Sequence, residues 1–361
     1  MIRIITGDFG SGKTTAVTDS IRRDLENGCR VCLLVPEQET VTAEARMARI
    51  LPASSTLFFE VSNFTRLANT VFRLVGGLSY RYASNTTRAL CMWRTMSELL
   101  PLLHERAGDV EIGRVRKMTA AMRELSALAV TPAQLINTAK KLPDDSRLRE
   151  KLEDLSLLST TYHALLRERF DDATEDLDRL ALILREKKPL SDTVFYVDGF
   201  ISFTEQEYRV LAALSPLSDL TVTLTLPLMR EEDLCFAETR DTLSRLMHMA
   251  RREGIPLART DLGESKRARV PLLAEVGRQL FSGNMTGGVC CEVPKAEDLL
   301  RAPLRIFRAA DPFGEAEWIA ADIARRVAEE GARYRDFAII ARRAESYAGI
   351  LDVVMESAEI P

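Results

Sequence analysis

The sequence predicts an α/β protein: a parallel sheet bearing a phosphate-binding loop, broken by a large all-helical insertion and followed by the start of a second α/β unit. Three observations predict this. A strand-sized apolar run, Ile2–Thr6, leads straight into Gly7-Asp8-Phe9-Gly10-Ser11-Gly12-Lys13-Thr14 and then into a helical pattern. From about Ser79 to Lys187, apolar residues recur at three- and four-residue spacings with no strand character between them. Strand character then returns at Thr193–Asp198, and a βαβα pattern opens at Pro303.

The elements follow in order. Ile2–Thr6 is a strand, Thr14 to about Asn27 a helix stopped by Gly28, and Arg30–Val35 a second strand, which together make one βαβ unit. A helix over Thr40–Arg49 and an apolar strand over Ser55–Val61 come next. Ser62-Asn63 then caps a helix over Phe64–Val75 that Gly76-Gly77 ends. The insertion reads as helices over Asn85–Leu100, Asp109–Leu128, Thr131–Lys141, Ser146–Asp171 and Asp176–Arg185. The sheet resumes with Thr193–Asp198, a helix over Thr204–Leu214, the alternating strand Leu220–Leu226 and a helix over Thr242–Glu253. Arg259–Pro303 reads as a connector with partial structure. Beyond it come a strand Leu304–Arg308, a helix Gly314–Gly331, a strand Phe337–Ala341 and a helix Ser346–Met355. A two-strand piece cannot close its own sheet, so the chain is expected to be an amino-terminal fragment of something larger. The expected domains are 1–77 and 190–259 for the first α/β domain, 78–189 for the insertion, 260–302 for the connector and 303–361 for the second.

Bulk properties narrow the function classes. The chain has 361 residues, more than one ordinary domain; 46% hydrophobic and 28% charged residues describe a folded protein rather than a disordered one. The longest apolar runs are strand-sized, far short of the roughly 20 residues a membrane span needs. A strand beginning at Ile2 leaves no room for a signal peptide, so a cytoplasmic location is expected and no membrane partner. Six cysteines do not make a disulfide framework in a chain this long. Cys29-x-x-Cys32 runs from the Gly28 turn into an apolar strand without further ligands nearby, and Cys290-Cys291 point to opposite faces of an extended chain. A net charge of −4 excludes a uniformly basic nucleic-acid coat and leaves local basic regions, one from Arg240 to Arg269 and one around Arg114–Arg123.

The chemistry rests on the loop. Gly7–Thr14 fits G-x-x-x-x-G-K-[ST] between a strand and a helix, the context in which backbone N–H groups wrap phosphates. Gly7, Asp8, Phe9, Gly10, Ser11, Gly12, Lys13, Thr14 and the neighbouring Thr15 are the nucleotide-binding candidates, with Lys13 as a point charge and the Thr14 hydroxyl as a Mg²⁺ ligand. Such a site needs a second acid at the end of a neighbouring apolar strand, and Asp198 is the candidate; the alternative is a plain strand-ending turn at Asp198-Gly199. The carboxylate that usually activates water is missing, because Gly199 follows Asp198. Glu205 and Glu207 would reach the site only by folding back.

With these residues in place the chain resembles the amino-terminal half of a UvrD-like superfamily-one helicase motor. More narrowly it resembles the AddB (RexB) family, the B subunits of bacterial ATP-dependent helicase/nucleases that resect DNA double-strand breaks. The resemblance runs through Gly7–Thr14, Leu34-Val-Pro-Glu-Gln38, Val61-Ser-Asn-Phe-Thr-Arg-Leu-Ala68, Tyr196-Val-Asp-Gly-Phe200 with Phe203-Thr-Glu-Gln-Glu207, and Phe337–Tyr347. It implies RecA-like folds for both α/β domains, binding of ATP with Mg²⁺, and a heterodimer with an AddA-type subunit acting on single- and double-stranded DNA in recombinational repair. Carried over by position, Ser62, Asn63, Phe64 and Arg66 would touch single-stranded DNA, and Arg342 would reach the γ-phosphate from the second motor domain; for each, a plain structural role is the alternative. Active relatives have Glu where this chain has Gly199 and Gln where it has Ile201, and carry an adenine-reading segment ahead of the loop. ATP binding without robust hydrolysis is therefore the expectation. The family's nuclease motif and iron–sulfur cysteines lie in its carboxy-terminal region, beyond Pro361, so none of the six cysteines is assigned to a cluster. The rival functions are an active DNA helicase or translocase and a small-molecule P-loop kinase.

Overall fold

A computed structural model of the chain describes residues 1–76, 82–104, 110–170, 175–263, 265–267, 270–279 and 302–361. Gly77, Arg269, Cys290, Cys291 and most of the expected connector lie outside the described residues. The chain divides into two compact units, Met1–Arg269 with Val276–Gly287, and Val270–Glu275 with Gly288–Pro361.

The first unit is built on β1 (Ile2–Gly7), α1 (Lys13–Glu26), β2 (Arg30–Leu34), α2 (Thr40–Ile50), β3 (Phe59–Ser62) and α3 (Phe64–Val75). The helical segment follows with α4 (Asn85–Leu99), α5 (Ile112–Ala127), α6 (Pro132–Ala139), α7 (Arg147–Arg167) and α8 (Asp176–Lys187). Then come β4 (Thr193–Val197), α9 (Glu205–Leu214), β5 (Leu220–Thr225), α10 (Ala237–Arg252) and β6 (Leu257–Asp261); of the next helix, α11 (Pro271–Gln279), only the part from Val276 belongs to this unit. Among the described residues the sheet has six strands, all parallel, in the order β3-β2-β4-β5-β1-β6. Every strand's carboxyl end therefore lies along one edge, where open parallel sheets bind ligands.

Period-two alternation assigns the two faces. Cys32, Leu34, Phe195, Val197 and Val222 face α3, α8, α9 and α10 in the larger core; Val31, Leu33 and Tyr196 face α1 and α2 in the smaller. The insertion holds a core of its own, with Met92, Met96, Met122, Leu158, Tyr162 and Leu166 at its centre. Its last helix does not share that core: Leu180, Ala181 and Leu184 of α8 pack with α3 and α9 against the sheet.

Several boundaries differ from those the sequence predicts. The expected strand Ser55–Val61 is a 3₁₀ turn, Ala53–Leu57, followed by β3, because β3 pairs only with Val31–Leu34 and Leu57 is left 85% exposed. Helix α10 begins at Ala237 rather than Thr242. β6 falls where the connector is expected; it is an edge strand with the intermediate–exposed alternation and charged residues typical of edges. Its pairing with β1 extends through Ile2 N–H to Pro256 O (2.9 Å) and Leu262 N–H to Thr6 O (2.9 Å).

The second unit contains α12 (Pro312–Glu330), capped by the Asp311 side chain accepting from Gly314 N–H, and α13 (Leu351–Ser357). Ala316, Ala320 and Val354 form its small core. The strands expected at 304–308 and 337–341 do not form among the described residues. A strand needs neighbours to take its N–H and C=O groups, and Ile306 and Ile340 are exposed. Among the described residues no helix is long and apolar enough to cross a membrane.

Candidate functional site

The site starts where β1 ends. Gly10 sits at φ +73° and Gly12 at φ +98°, left-handed conformations that favour glycine. Space enforces the choice at Gly10, where a Cβ would lie 2.5 Å from the Arg267 Cβ. Gly12 occupies the N-cap of α1 without a side-chain cap, so the first-turn N–H groups that a helix leaves unpaired stay available to an anion.

Lys13 is folded over the loop, with Nζ donating to Gly7 O (3.0 Å) and Asp8 O (2.7 Å). Burial holds its pKa below the ordinary lysine value, against the opposing pull of the Asp198, Asp8 and Asp261 carboxylates. Beside it the Ser11 Oγ is buried and has no hydrogen-bond partner among the described residues. The loop is pinned from the segment after β6: Asp8 N–H donates to Gly263 O (2.9 Å) and Lys266 N–H to Gly10 O (3.0 Å).

Asp198 stands one strand away, because β5 separates β4 from β1. Its Oδ2 accepts from Thr14 Oγ1 (3.1 Å) and its Oδ1 from Thr223 Oγ1 (2.5 Å), while an Arg46 guanidinium nitrogen lies 3.9 Å from Oδ2. A hydroxyl and a carboxylate, hard oxygen donors, thus face one another above the sheet edge, the donor set that Mg²⁺ takes beside phosphates. The uncapped helix end, the glycine cradle, the orphaned Ser11 hydroxyl and this oxygen pair fit a Mg²⁺-bound polyphosphate. They line a cleft of about 1240 Å³, with Phe9, Thr15, Glu39, Arg46, Lys266 and Arg267 also on its walls.

The structure therefore brings Gly7 to Thr15 and Asp198 together. The other sequence candidates have the following surroundings. Ser62 is buried, with Oγ donating to Asn63 O (3.3 Å); the Asn63 side chain caps α3 by accepting from Arg66 N–H (2.8 Å). Phe64 is buried in edge contact with Phe200 and Phe203, and Arg66 pairs with Glu44 at 2.6 Å. Arg342 belongs to the second unit, where it is exposed. Neither carboxylate of α9 folds back to the loop. Glu205 pairs with Arg245, and Glu207 caps its own helix at Thr204 N–H (2.7 Å), its pKa raised chiefly by burial. The basic stretch after residue 240 is largely paired: Arg240 with Glu232, Arg252 with Glu253 and Arg259 with Glu231.

Sequence reasoning missed Thr223, Arg46 and Glu39. Thr223 carried a signal, a polar residue inside a strand that the sheet buries on both faces. Glu39 lies one residue past the Leu34–Gln38 segment, and only strand pairing brings it to the cleft.

A family model described as "ADDB, N-terminal" matches residues 4–276. Over its full length the chain is 31% identical to the B subunit of the ATP-dependent helicase/deoxyribonuclease of Pelotomaculum thermopropionicum and 33% identical to that of Desulforudis audaxviator, covering 32% and 31% of those proteins. The equally named protein of Caldanaerobacter subterraneus is 30% identical, again with 31% of its length covered. The chain thus spans about a third of the length of these relatives.

Proposed function

The chain belongs to the family of AddB amino-terminal regions, and from that premise we propose that it binds ATP with Mg²⁺ in the P-loop cleft and single-stranded DNA elsewhere on its surface. In this reading it is the motor-like part of a helicase/nuclease subunit that works with an AddA-type partner in double-strand-break processing. One observation carries the nucleotide reading: Lys13 and Thr14 stand at a glycine-built helix end with Asp198 3.1 Å from the Thr14 hydroxyl. Lys13 would exchange the Gly7 and Asp8 carbonyls for phosphate oxygens, and the loop N–H groups would hold the remaining charge. Thr14 would ligate Mg²⁺ directly and Asp198 through water; the metal would neutralise charge on the phosphates.

Equilibrium binding of a non-hydrolysable ATP analogue tests this. Lys13→Ala should weaken binding roughly 10- to 100-fold, the worth of hydrogen bonds from a charged group. A wild-type chain that binds no analogue at millimolar concentration would refute the nucleotide reading. The DNA reading predicts affinity for single strands that falls log-linearly with salt as counterions are released. Phe64 is buried, so base stacking at α3 would require its ring to leave the cluster with Phe200 and Phe203; Arg66, half-exposed on Glu44, is the more accessible contact.

A further inference from the structure

We propose that Glu39 supplies the carboxylate that holds and deprotonates the attacking water, so that the cleft hydrolyses the nucleotide it binds; this rests on the nucleotide-binding reading above. Three observations carry the inference. Gly199 provides no side chain after Asp198, and a Cβ built there would lie 2.8 Å from Glu39 Oε2 and 3.3 Å from Pro36 Cδ. The volume a side chain at 199 would enter is thus already occupied by a carboxylate from the segment after another strand. Second, Glu39 is exposed and lines the same cleft as Lys13, Thr14 and Asp198, and its carboxylate makes no hydrogen bond or ion pair among the described residues. Third, its backbone is fixed. Its N–H donates to Pro36 O (2.9 Å), Thr40 Oγ1 donates to Glu37 O (2.8 Å), and Asp198 N–H to Leu34 O (3.0 Å) ties β4 to the strand from which Glu39 emerges.

Of the other carboxylates on or beside the cleft, three are committed; Asp19 also lines it, but it is rooted on α1, and the carboxylate against Gly199 is that of Glu39. Asp8 accepts from Phe9 N–H (2.7 Å) and faces Arg230; Asp261 accepts from Thr6 Oγ1 (2.9 Å) and Gly263 N–H (3.1 Å). Asp198 is held by Thr14 and Thr223. Glu39 is the carboxylate that lies against Gly199 with a fixed root and a free head, the properties a water-positioning group needs. In the step it would serve, the water oxygen bonds to the γ-phosphorus and the bond from that phosphorus to the β-γ bridging oxygen breaks. The electron pair stays on the diphosphate, and the water proton passes to the Glu39 carboxylate and then to solvent.

The test compares wild type, Glu39→Gln, Glu39→Asp and Lys13→Ala in single-turnover phosphate release. It is paired with equilibrium binding of a non-hydrolysable ATP analogue and of ADP with aluminium fluoride. Glu39→Gln should slow phosphate release roughly 100-fold and keep analogue affinity within about twofold, while losing the extra affinity for the transition-state mimic. Glu39→Asp should recover part of both losses. Unchanged release in Glu39→Gln, or a wild type that binds the analogue yet releases no phosphate above the Lys13→Ala background, overturns the inference and leaves the binding reading standing. An equal loss of analogue affinity and rate in Glu39→Gln would make the residue part of the binding shell and also overturn it. A wild type that binds no nucleotide ends both readings.

Discussion

Two apolar runs of similar length have opposite fates. Val194–Val197 becomes β4, paired on both sides, with Phe195 and Val197 fully buried. Phe337–Ala341 in the second unit forms no strand among the described residues and leaves Ile340 93% exposed. The difference lies in what surrounds each run. β4 finds β2 and β5 to take its backbone N–H and C=O groups and helices to cover its faces, whereas among the described residues the second unit's core cluster centres on Ala316, Ala320 and Val354. An apolar run encodes a strand only when neighbours share the cost of ordering it.

The largest effect that can break this comparison is in the sheet. Phe195→Ala opens a cavity in the larger core, which Leu34, Phe72 and side chains of α9 also help to build, and truncating a buried phenylalanine costs about 3–5 kcal/mol. Urea unfolding of the first unit should register that loss. A loss below about 1 kcal/mol would mean that β4 is not packed as described.

The same contrast decides what could be read in advance. The P-loop was legible because its parts are contiguous: strand, glycines, lysine and helix all lie between Ile2 and Glu26. Asp198 was legible as the acid ending an apolar strand. Glu39 was not, because its proximity to Gly199 is created by the pairing of β2 with β4, which nothing in either local segment announces. β6 was missed because Arg259 and Asp261 give an edge strand the composition of a loop; α8 was foreseen as a helix but not its place against the sheet, because its periodicity says that it is amphipathic without saying which core it serves.

A middle-sized effect tests whether the second unit is held by charge where the first is held by its core. Burial alone would raise the Asp322 carboxyl. Hydrogen bonds from Arg305 and Arg325 and the charge of Arg326 outweigh it and keep the pKa below the usual carboxylate range. A carboxylate with a lowered folded pKa contributes stability that is complete above its unfolded pKa and is lost as pH falls through the folded one. The second unit should therefore loosen in acid, below the ordinary aspartate pKa of 3.8. Trp318, stacked on Phe307 at 4.7 Å beneath the Arg305 guanidinium, reports it by fluorescence once half-exposed Trp93 is replaced by Phe. Asp322→Asn should cost about 1–3 kcal/mol at neutral pH by leaving the arginines without their shared carboxylate, and should remove the acid step. An acid transition that persists in Asp322→Asn would assign it to another group.

The smallest expected effect is the sharpest test of the comparison. Ile340 has almost no contact surface to lose, so Ile340→Ser should change the stability of this chain by less than about 0.5 kcal/mol, as substitutions at exposed positions do. The same change at buried Val197 would remove apolar contacts and bury a hydroxyl without an assured partner, at a cost of several kcal/mol on the order expected for core truncation plus an unsatisfied polar group. Denaturant midpoints of the two variants, followed by Trp318 fluorescence for Ile340→Ser and by far-ultraviolet circular dichroism for Val197→Ser, give the pair of numbers. A large loss at Ile340 would mean that the Phe337–Ala341 run is covered in this chain, and the contrast between the two runs would collapse. If Ile340→Ser is silent here yet destabilises a chain of the relatives' full length, the run is completed by neighbours outside these 361 residues, and the first unit's rule, that strands form where partners exist, extends to the second.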